Sequence, residues 1–137
     1  MMTDQTERLF TYGTLMPELT NHHWIERHVH STKPGWIRGA LADLGAFPAL
    51  IEGNGIVKGV LLEIDAEGLQ IADRIEGYSP DRQYSLYVRQ LTWFFGDDGT
   101  RVRAWTYYFG RADQLKSEPR LQCTDSKGEP VFSWPAK

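Results

Sequence analysis

The stretch YSLYVRQLTWFFGDDGTRVRAWTYYF, residues 84–109, decides the fold. It predicts a hairpin in which a strand over Tyr84–Phe95 turns at Gly96-Asp97-Asp98-Gly99 and returns over Arg101–Phe109. Aromatic side chains occupy both alternating faces of these strands, whereas a half-exposed sheet would be polar on one face. We therefore predict a sheet that curls into a small barrel with additional cover.

A buried strand and a helix are predicted upstream of this hairpin. Ile56–Ile64 is a nearly continuous apolar run, which indicates burial on both faces. Asp65 is a typical N-cap residue for a helix over Ala66–Glu76, whose apolar residues fall at helical spacings. Gly77 follows where a C-terminal glycine is expected.

The remaining segments give weaker patterns. Glu7–Tyr12 is a predicted strand, and Trp36–Leu44 is another, with a bulge or bend at Gly39. Between them, Thr20–Val29 is either a short helix or a loop with helical turns. Asn54-Gly55 is a hairpin-type turn signal.

The tail over Gly110–Lys137 is polar apart from one apolar cluster, Val131, Phe132 and Trp134. Solvating that much aromatic surface is unfavourable, so we expect this cluster to dock on the barrel. The sequence has no internal repeat, and we predict a single domain over residues 1–137 with its core at about 7–109.

Composition excludes several classes of protein. The chain has 137 residues, 41% of them hydrophobic, and a net charge of −3, so no basic excess points to nucleic acid or an anionic membrane. Its single cysteine, Cys123, has no partner for an internal disulfide and is interpreted as a reduced, incidental thiol. Met1–Arg8 does not resemble a signal peptide. We expect a soluble, cytoplasmic protein that is a monomer or a weak homodimer.

Two short motifs are candidates for chemistry. Tyr12-Gly13-Thr14-Leu15 follows a strand, and such a glycine turn presents backbone N–H groups to an anion or a developing oxyanion. Glu76 ends the predicted helix between Ile75 and Gly77-Tyr78. Together they are sufficient for a minimal acyl-transfer site. The alternatives are an ordinary turn after a strand and a solvated carboxylate at the end of a surface helix.

The sequence resembles the gamma-glutamylcyclotransferase-like (AIG2-like) proteins. Six short motifs carry the resemblance in the family's order: Leu9–Leu15 with Asn21-His22, Leu44–Leu50, Val57–Val60, Asp73–Tyr78, Tyr87–Arg89 and Ala104–Tyr107. It covers about Leu9–Phe109 and leaves the tail outside. Met16-Pro17-Glu18 departs from the family pattern and places a negative charge after the glycine turn, which leaves the substrate's identity open.

This resemblance implies an α+β fold, a small mixed β-barrel with one or two packed helices. It also implies an enzyme of the gamma-glutamylcyclotransferase or gamma-glutamylamine cyclotransferase type, in which the substrate's own α-amine attacks its γ-glutamyl amide and releases 5-oxoproline and an amine. Glu76 matches the family's general base and acid. The loop of Tyr12, Gly13, Thr14 and Leu15 matches the part that holds the glutamyl group. No cofactor is expected.

Three further sets of residues allow two interpretations each. Arg89 binds a substrate carboxylate or pairs with a surface acid, and Tyr107 donates a hydrogen bond into the pocket or belongs to the core. The four histidines, His22, His23, His28 and His30, lack any known metal-ligand spacing, so we expect no metal site; Asn21-His22 is expected to anchor the glycine loop.

Two functions therefore remain open. One is a cyclotransferase acting on a small γ-glutamyl substrate. The other is a non-catalytic binding module for a small anionic or amino-acid ligand on the same fold. A third, weaker possibility is a partner-binding role for the tail around Trp134. A buried Glu76 with a raised pKa near the glycine loop favours the enzyme, whereas an exposed or arginine-paired Glu76 favours the binding module.

Overall fold

A computed structural model of the chain describes residues 6–13, 15–16, 21–43, 48–78, 87–110, 122–124 and 130–132. In chain order, its strands and its α-helix are β1 (Thr6–Thr11), β2 (Val29–Asp43), β3 (Pro48–Asp65), α1 (Ala66–Ile75), β4 (Tyr87–Gly96), β5 (Arg101–Phe109), β6 (Gln122–Thr124) and β7 (Pro130–Phe132). Two 3₁₀ turns, His22–Trp24 and Glu26–His28, lie between β1 and β2.

The first five strands close into a barrel. Their order is β1-β5-β4-β2-β3, and β1 also pairs with β3, which joins the two ends of the sheet. The β1–β3 ladder is antiparallel from Thr6 opposite Asp65 to Thr11 opposite Val60, whereas β1 and β5 run parallel. The predicted mixed β-barrel with a packed helix is confirmed.

Apolar side chains are buried on both faces of the barrel wall. Leu61 belongs to the interior cluster with Phe10, Val57 and Phe94, all of them buried. Its neighbour Leu62 points the other way and packs with Leu69 and other residues between the wall and α1. This confirms the predicted burial on both faces for the part of Ile56–Ile64 around Leu61 and Leu62.

Cover on the outer face of the β4–β5 hairpin is uneven. α1 covers one end, where Tyr87 and Tyr107 are buried. Farther along, Trp93 is 42% exposed, and its ring is contacted by the guanidinium groups of Arg101 and Arg103 at 4.6 and 5.2 Å. The additional cover predicted from the aromatic pattern is therefore a helix at one end and arginine side chains at the other.

The helix α1 has at its two ends the capping residues that the sequence predicts. The Asp65 side chain accepts a hydrogen bond from the backbone N–H of Gly68 at 2.7 Å, which satisfies one of the free donors of the first turn. Glu76 is the C-cap residue, and Gly77 follows with a φ of 69°, a conformation that suits glycine. The predicted helix ends are confirmed to within one residue.

Two strands run further than predicted, and one turn prediction is wrong. β2 already begins at Val29, and β3, the longest strand, passes straight through Asn54-Gly55. The pairing shifts between Gly39 opposite Gly55 and Ala40 opposite Ile51, so residues 52–54 form a bulge instead of a hairpin turn. The irregularity predicted at Gly39 is present as a shift of register between Gly39 and Ala40, but the extra residues of the bulge lie in β3.

The described parts of the tail add two strands to the barrel. β7 pairs in parallel with β3, and β6 pairs with β7. Val131 and Phe132 are buried, as predicted, and Trp134 lies outside the described residues. Within the described ranges, no helix is both long and apolar enough to span a membrane.

Candidate active site

A pocket opens where β1 ends, beside the C-terminus of α1. It has about 330 Å³ of space between its walls, including the open mouth. Its lining residues come from several separate segments of the chain: Phe10, Thr11, Tyr12, Gly13, Leu15, Pro48, Glu76, Tyr87 and Tyr107. The fold thus brings together five of the seven residues predicted for the site. Thr14 lies outside the described residues, and Arg89 is not in the described wall.

Glu76 reaches the pocket because the helix ends there. Its backbone N–H donates to the carbonyl oxygen of Ala72 at 3.0 Å. The N–H groups of Gly77 and Tyr78 donate to the backbone carbonyls of Arg74 and Asp73, which closes the helix end. The Glu76 side chain is then held among the pocket's aromatic rings. Burial raises the pKa of this carboxyl from 4.5 to about 7. Near neutral pH, such a group can both accept and release a proton.

The raised pKa of Glu76 predicts an unusual dependence of stability on pH. Between pH 4.5 and about 7, the folded state binds a proton more tightly than the unfolded chain, so stability falls as the pH rises through this window. Above pH 7, the ionised Glu76 then lowers the free energy of unfolding by up to roughly 3 kcal/mol. We expect Glu76→Gln to gain about this much relative to the wild type between pH 5 and 8, measured by urea unfolding.

Glu67→Gln is the matched control for this measurement. Glu67 is an exposed acid in the first turn of the same helix. Its substitution should leave the pH dependence of unfolding as it is in the wild type. Parallel curves for the wild type and Glu76→Gln would show that the carboxyl of Glu76 is not desolvated.

The glycine loop is anchored on both sides. The N–H of Met16 donates to Gly13 at 2.9 Å, which closes the turn, and the Leu15 side chain is buried. His22 Nδ1 lies 2.9 Å from the carbonyl oxygen of Leu15. Because a carbonyl only accepts, the proton of the His22 ring sits on Nδ1. This contact agrees with the anchoring role that the sequence suggested for Asn21-His22.

Three tyrosines line the pocket, and each donates its hydroxyl proton to the protein. Tyr12 donates to the carbonyl of Tyr107, and Tyr87 donates to the carbonyl of Pro48. Tyr107 donates to Asp73 Oδ1 at 2.7 Å. Burial is the main cause that raises the pKa of all three, so they stay neutral. Tyr107 is thus a buried residue whose hydroxyl proton is used within the protein, which agrees with the second of its two interpretations, and its oxygen is left as an acceptor.

Arg89 lies behind the pocket wall. Its Nε is 2.9 Å from Asp73 Oδ1, an ion pair that lies off the line of a hydrogen bond. Its guanidinium also lies over the rings of Trp105 and Tyr78, at 4.4 and 5.6 Å. In this position it pairs with an acid, as in the second of the two interpretations, but that acid is largely buried and not on the surface. Direct binding of a substrate carboxylate by Arg89 stays a prediction.

Asp73, Tyr87 and Pro48 are site residues that the sequence reasoning did not single out. Asp73 precedes Glu76 by three positions on a helix, so the two share a face, and this spacing was a usable signal. Tyr87 and Pro48 meet through a contact between distant segments, for which the sequence gives no comparable signal.

Three of the four histidines contact other side chains of the protein. His28 Nδ1 lies 3.0 Å from Asp65 Oδ1, and His30 Nε2 lies 3.9 Å from its other oxygen. The His23 ring contacts the Trp24 ring in a tilted arrangement, with 4.4 Å between ring centres. In the part of the chain that the structure describes, no three His, Cys, Asp or Glu side chains form a group that could hold a metal ion.

Comparisons with known proteins identify relatives of the chain. The sequence model of the family described as "Gamma-glutamyl cyclotransferase, AIG2-like" matches residues 9–127. The gamma-L-glutamyl-butirosin B gamma-glutamyl cyclotransferase of Niallia circulans is 32% identical over 111 residues, which are 80% of this chain and 70% of that protein.

Two solved structures share the fold. An AIG2-like protein from Mus musculus matches with a TM-score of 0.70 and 24% identity over 90% of this chain and 91% of its own. YkqA from Bacillus subtilis matches with a TM-score of 0.62 and 22% identity over 77% of this chain, which spans only 36% of YkqA. At these identities the likeness concerns the fold alone.

Proposed function

The chain belongs to the AIG2-like gamma-glutamyl cyclotransferase family, and on this premise we propose that it cleaves γ-glutamyl amides by intramolecular attack, releasing 5-oxoproline and a free amine. The observation that carries the proposal is the position of Glu76, a desolvated carboxyl in the same pocket as the glycine loop. The reaction needs one group that moves protons and one that stabilises an oxyanion, and this pocket has a candidate for each.

In the proposed mechanism, Glu76 moves a proton between the two nitrogens of the substrate. Its carboxylate takes a proton from the α-ammonium, and the freed amine attacks the γ-carbonyl carbon and closes a five-membered ring. The carbonyl oxygen becomes an oxyanion, and backbone N–H groups of the Tyr12–Leu15 loop are the proposed donors to it. The tetrahedral species then collapses with cleavage of the bond to the leaving nitrogen, which receives the proton from Glu76. The ring nitrogen gives up its second surplus proton through the same carboxylate, so the amine leaves as an ammonium and two protons have moved in all. The proposed reaction consumes no water and requires no cofactor.

The other pocket residues hold and orient the substrate in this proposal. The oxygen of Tyr107 accepts a hydrogen bond from the substrate's α-ammonium, since its own proton is directed at Asp73. Gly13 packs against Pro48, where an added Cβ would lie 3.1 Å from the Pro48 ring, so any side chain at position 13 would crowd this wall.

The reaction class is tested by measuring product release from a panel of substrates with mass spectrometry. The panel contains γ-glutamyl amino acids, γ-glutamyl-ε-lysine, glutathione and γ-glutamyl alkylamines. We expect 5-oxoproline and free amine in equal amounts from at least one of them. Binding of these compounds without turnover, by folded protein, would contradict the enzyme and support the binding module.

A dependence of the rate on pH follows from the proposed role of Glu76. The group must be deprotonated to take the first proton, and its pKa is about 7. We expect kcat/KM to fall about tenfold for each pH unit below about 7. A steady-state series from about pH 5.5 to 8 measures this acidic limb. A rate that stays constant across this range would contradict the assignment of Glu76 as the base.

A further inference from the structure

Asp73 and Arg89 form a largely buried ion pair next to Tyr107 of the pocket wall. The two side chains are only 15% and 19% exposed, and their charged atoms lie 2.9 Å apart. The same oxygen of Asp73 also accepts the hydroxyl proton of Tyr107, which lines the pocket. The backbone carbonyl of Asp73 accepts from the N–H of Tyr78, two residues after Glu76. Asp73 is thus tied to Tyr107 of the pocket wall and to the backbone just after Glu76.

The guanidinium of Arg89 is held in place by aromatic rings. It lies over Trp105 of β5 and over Tyr78, which follows α1. These contacts restrict a long side chain that is otherwise costly to order, and they lower the cost of keeping its charge away from water. The position of the cation beside Asp73 is therefore set by the barrel and by the end of the helix together.

We propose that Asp73 and Arg89 are positioning residues of the active site: Asp73 fixes the Tyr107 hydroxyl with its proton turned away from the pocket, and Arg89 balances the charge of Asp73 one helical turn from Glu76. In this proposal the pair acts through Tyr107 and Glu76, and direct binding of the substrate by Arg89 is the alternative. For its effect on turnover, this inference rests on the proposed function.

Charge balance near Glu76 matters because burial removes its carboxyl from much of the surrounding water. Three titratable groups of the packed elements interact with the charge of Glu76, and all three stay neutral: Tyr12, Tyr87 and Tyr107. Asp73 is the acid one helical turn before Glu76, and Arg89 is its ion-pair partner. Removing either charge leaves the other uncompensated at short range, where the effective dielectric constant is low.

The two single substitutions should move the titration of Glu76 in opposite directions. Arg89→Gln leaves a bare anion near Glu76 and raises its pKa, whereas Asp73→Asn leaves a bare cation and lowers it. In Asp73→Asn the new side chain would still accept the Tyr107 hydroxyl through its amide oxygen, so the hydrogen bond survives. We expect shifts of about half a pH unit or more, and a return towards the wild-type midpoint in the double variant.

The test is a carbon-13 NMR titration of the Glu76 side-chain carboxyl, run with the pH profile of kcat/KM. Arg89→Lys, which keeps the charge, should titrate close to the wild type. Opposite shifts in the two single variants support the proposal. Equal midpoints, or shifts in the same direction, overturn it, because a merely structural role would lower stability without this sign pattern. If the wild type shows no turnover, the proposed function fails and the NMR titration still decides this inference.

Discussion

Replacing Glu76 with glutamine is expected to reduce kcat/KM for the γ-glutamyl substrate by about a hundredfold or more while the protein stays folded. Glutamine has the shape of glutamate but neither accepts the proton of the α-ammonium nor delivers one to the leaving amine. Losing a positioned general acid and base costs about a hundredfold to ten-thousandfold. Initial rates of 5-oxoproline release, measured above the pKa of about 7, give the ratio.

Folding does not confound this comparison, because Glu76→Gln should be more stable than the wild type above pH 7. A variant that is more stable and less active identifies a group whose burial serves the reaction, since it trades stability for function. Glu67→Gln again serves as the control, and it should keep wild-type rates. Undiminished turnover in Glu76→Gln would leave the enzyme in place and remove the proposed mechanism.

Gly59→Ala should unfold the protein or come close to it. Gly59 lies in β3, and a Cβ added there would be 2.1 Å from the backbone oxygen of Thr11 and 2.6 Å from the Phe10 ring. Backbone cannot move aside as a flexible side chain can, and Thr11 belongs to the β1–β3 ladder that closes the barrel. We expect a loss of at least about 3 kcal/mol, the upper part of the range for overpacking. Against a total stability of about 5–15 kcal/mol, this is a large fraction.

Gly53→Ala is the matched control for this substitution. Gly53 is exposed in the bulge of β3, and its added Cβ would lie 3.2 Å from the Ala40 side chain and 3.3 Å from the Gly39 backbone, which a small shift of the exposed bulge relieves. We expect a change below about 1 kcal/mol. Circular dichroism and urea unfolding of both variants measure the difference. A Gly59→Ala protein with wild-type stability would show that the β1–β3 contact is looser than these distances imply.

Much of the fold could be predicted because local and tertiary preferences agree. The N-cap Asp65, the helical spacing after it and Gly77 all indicate one helix, and the structure has that helix. The second strand of the hairpin was predicted with the same ends, Arg101–Phe109, because a turn and an alternating pattern define it from both sides. In such segments the sequence alone is sufficient to predict the secondary structure and its ends.

The errors occur where tertiary pairing overrides local preference. The start of β2 contains Pro34 and Gly35, which indicate a loop by themselves, yet Pro34 pairs opposite Val60 in the closed barrel. Asn54-Gly55 carries a strong turn signal, but the chain uses it for a bulge. In both places the partner strand supplies the decisive contacts, and a pattern within one segment cannot report them.

The candidate site was predicted in its outline but not in its hydrogen bonds. Glu76 and the glycine loop were singled out, and they do share a pocket. The direction of the Tyr107 hydroxyl was not predictable, since its acceptor Asp73 lies 34 residues away in sequence. The position of Arg89 depends on the same contact between α1 and the barrel. Contacts of this kind decide the protonation chemistry of the site.

The most direct test of the central claim, intramolecular attack by the substrate's own amine, is turnover in water enriched in heavy oxygen. The best γ-glutamyl substrate is allowed to react with the wild-type protein. Mass spectra are then recorded of the two possible acyl products, 5-oxoproline and glutamate. The proposed mechanism predicts 5-oxoproline without heavy oxygen, in an amount equal to the released amine, because no water takes part. Glutamate carrying heavy oxygen would identify a hydrolase and contradict the account.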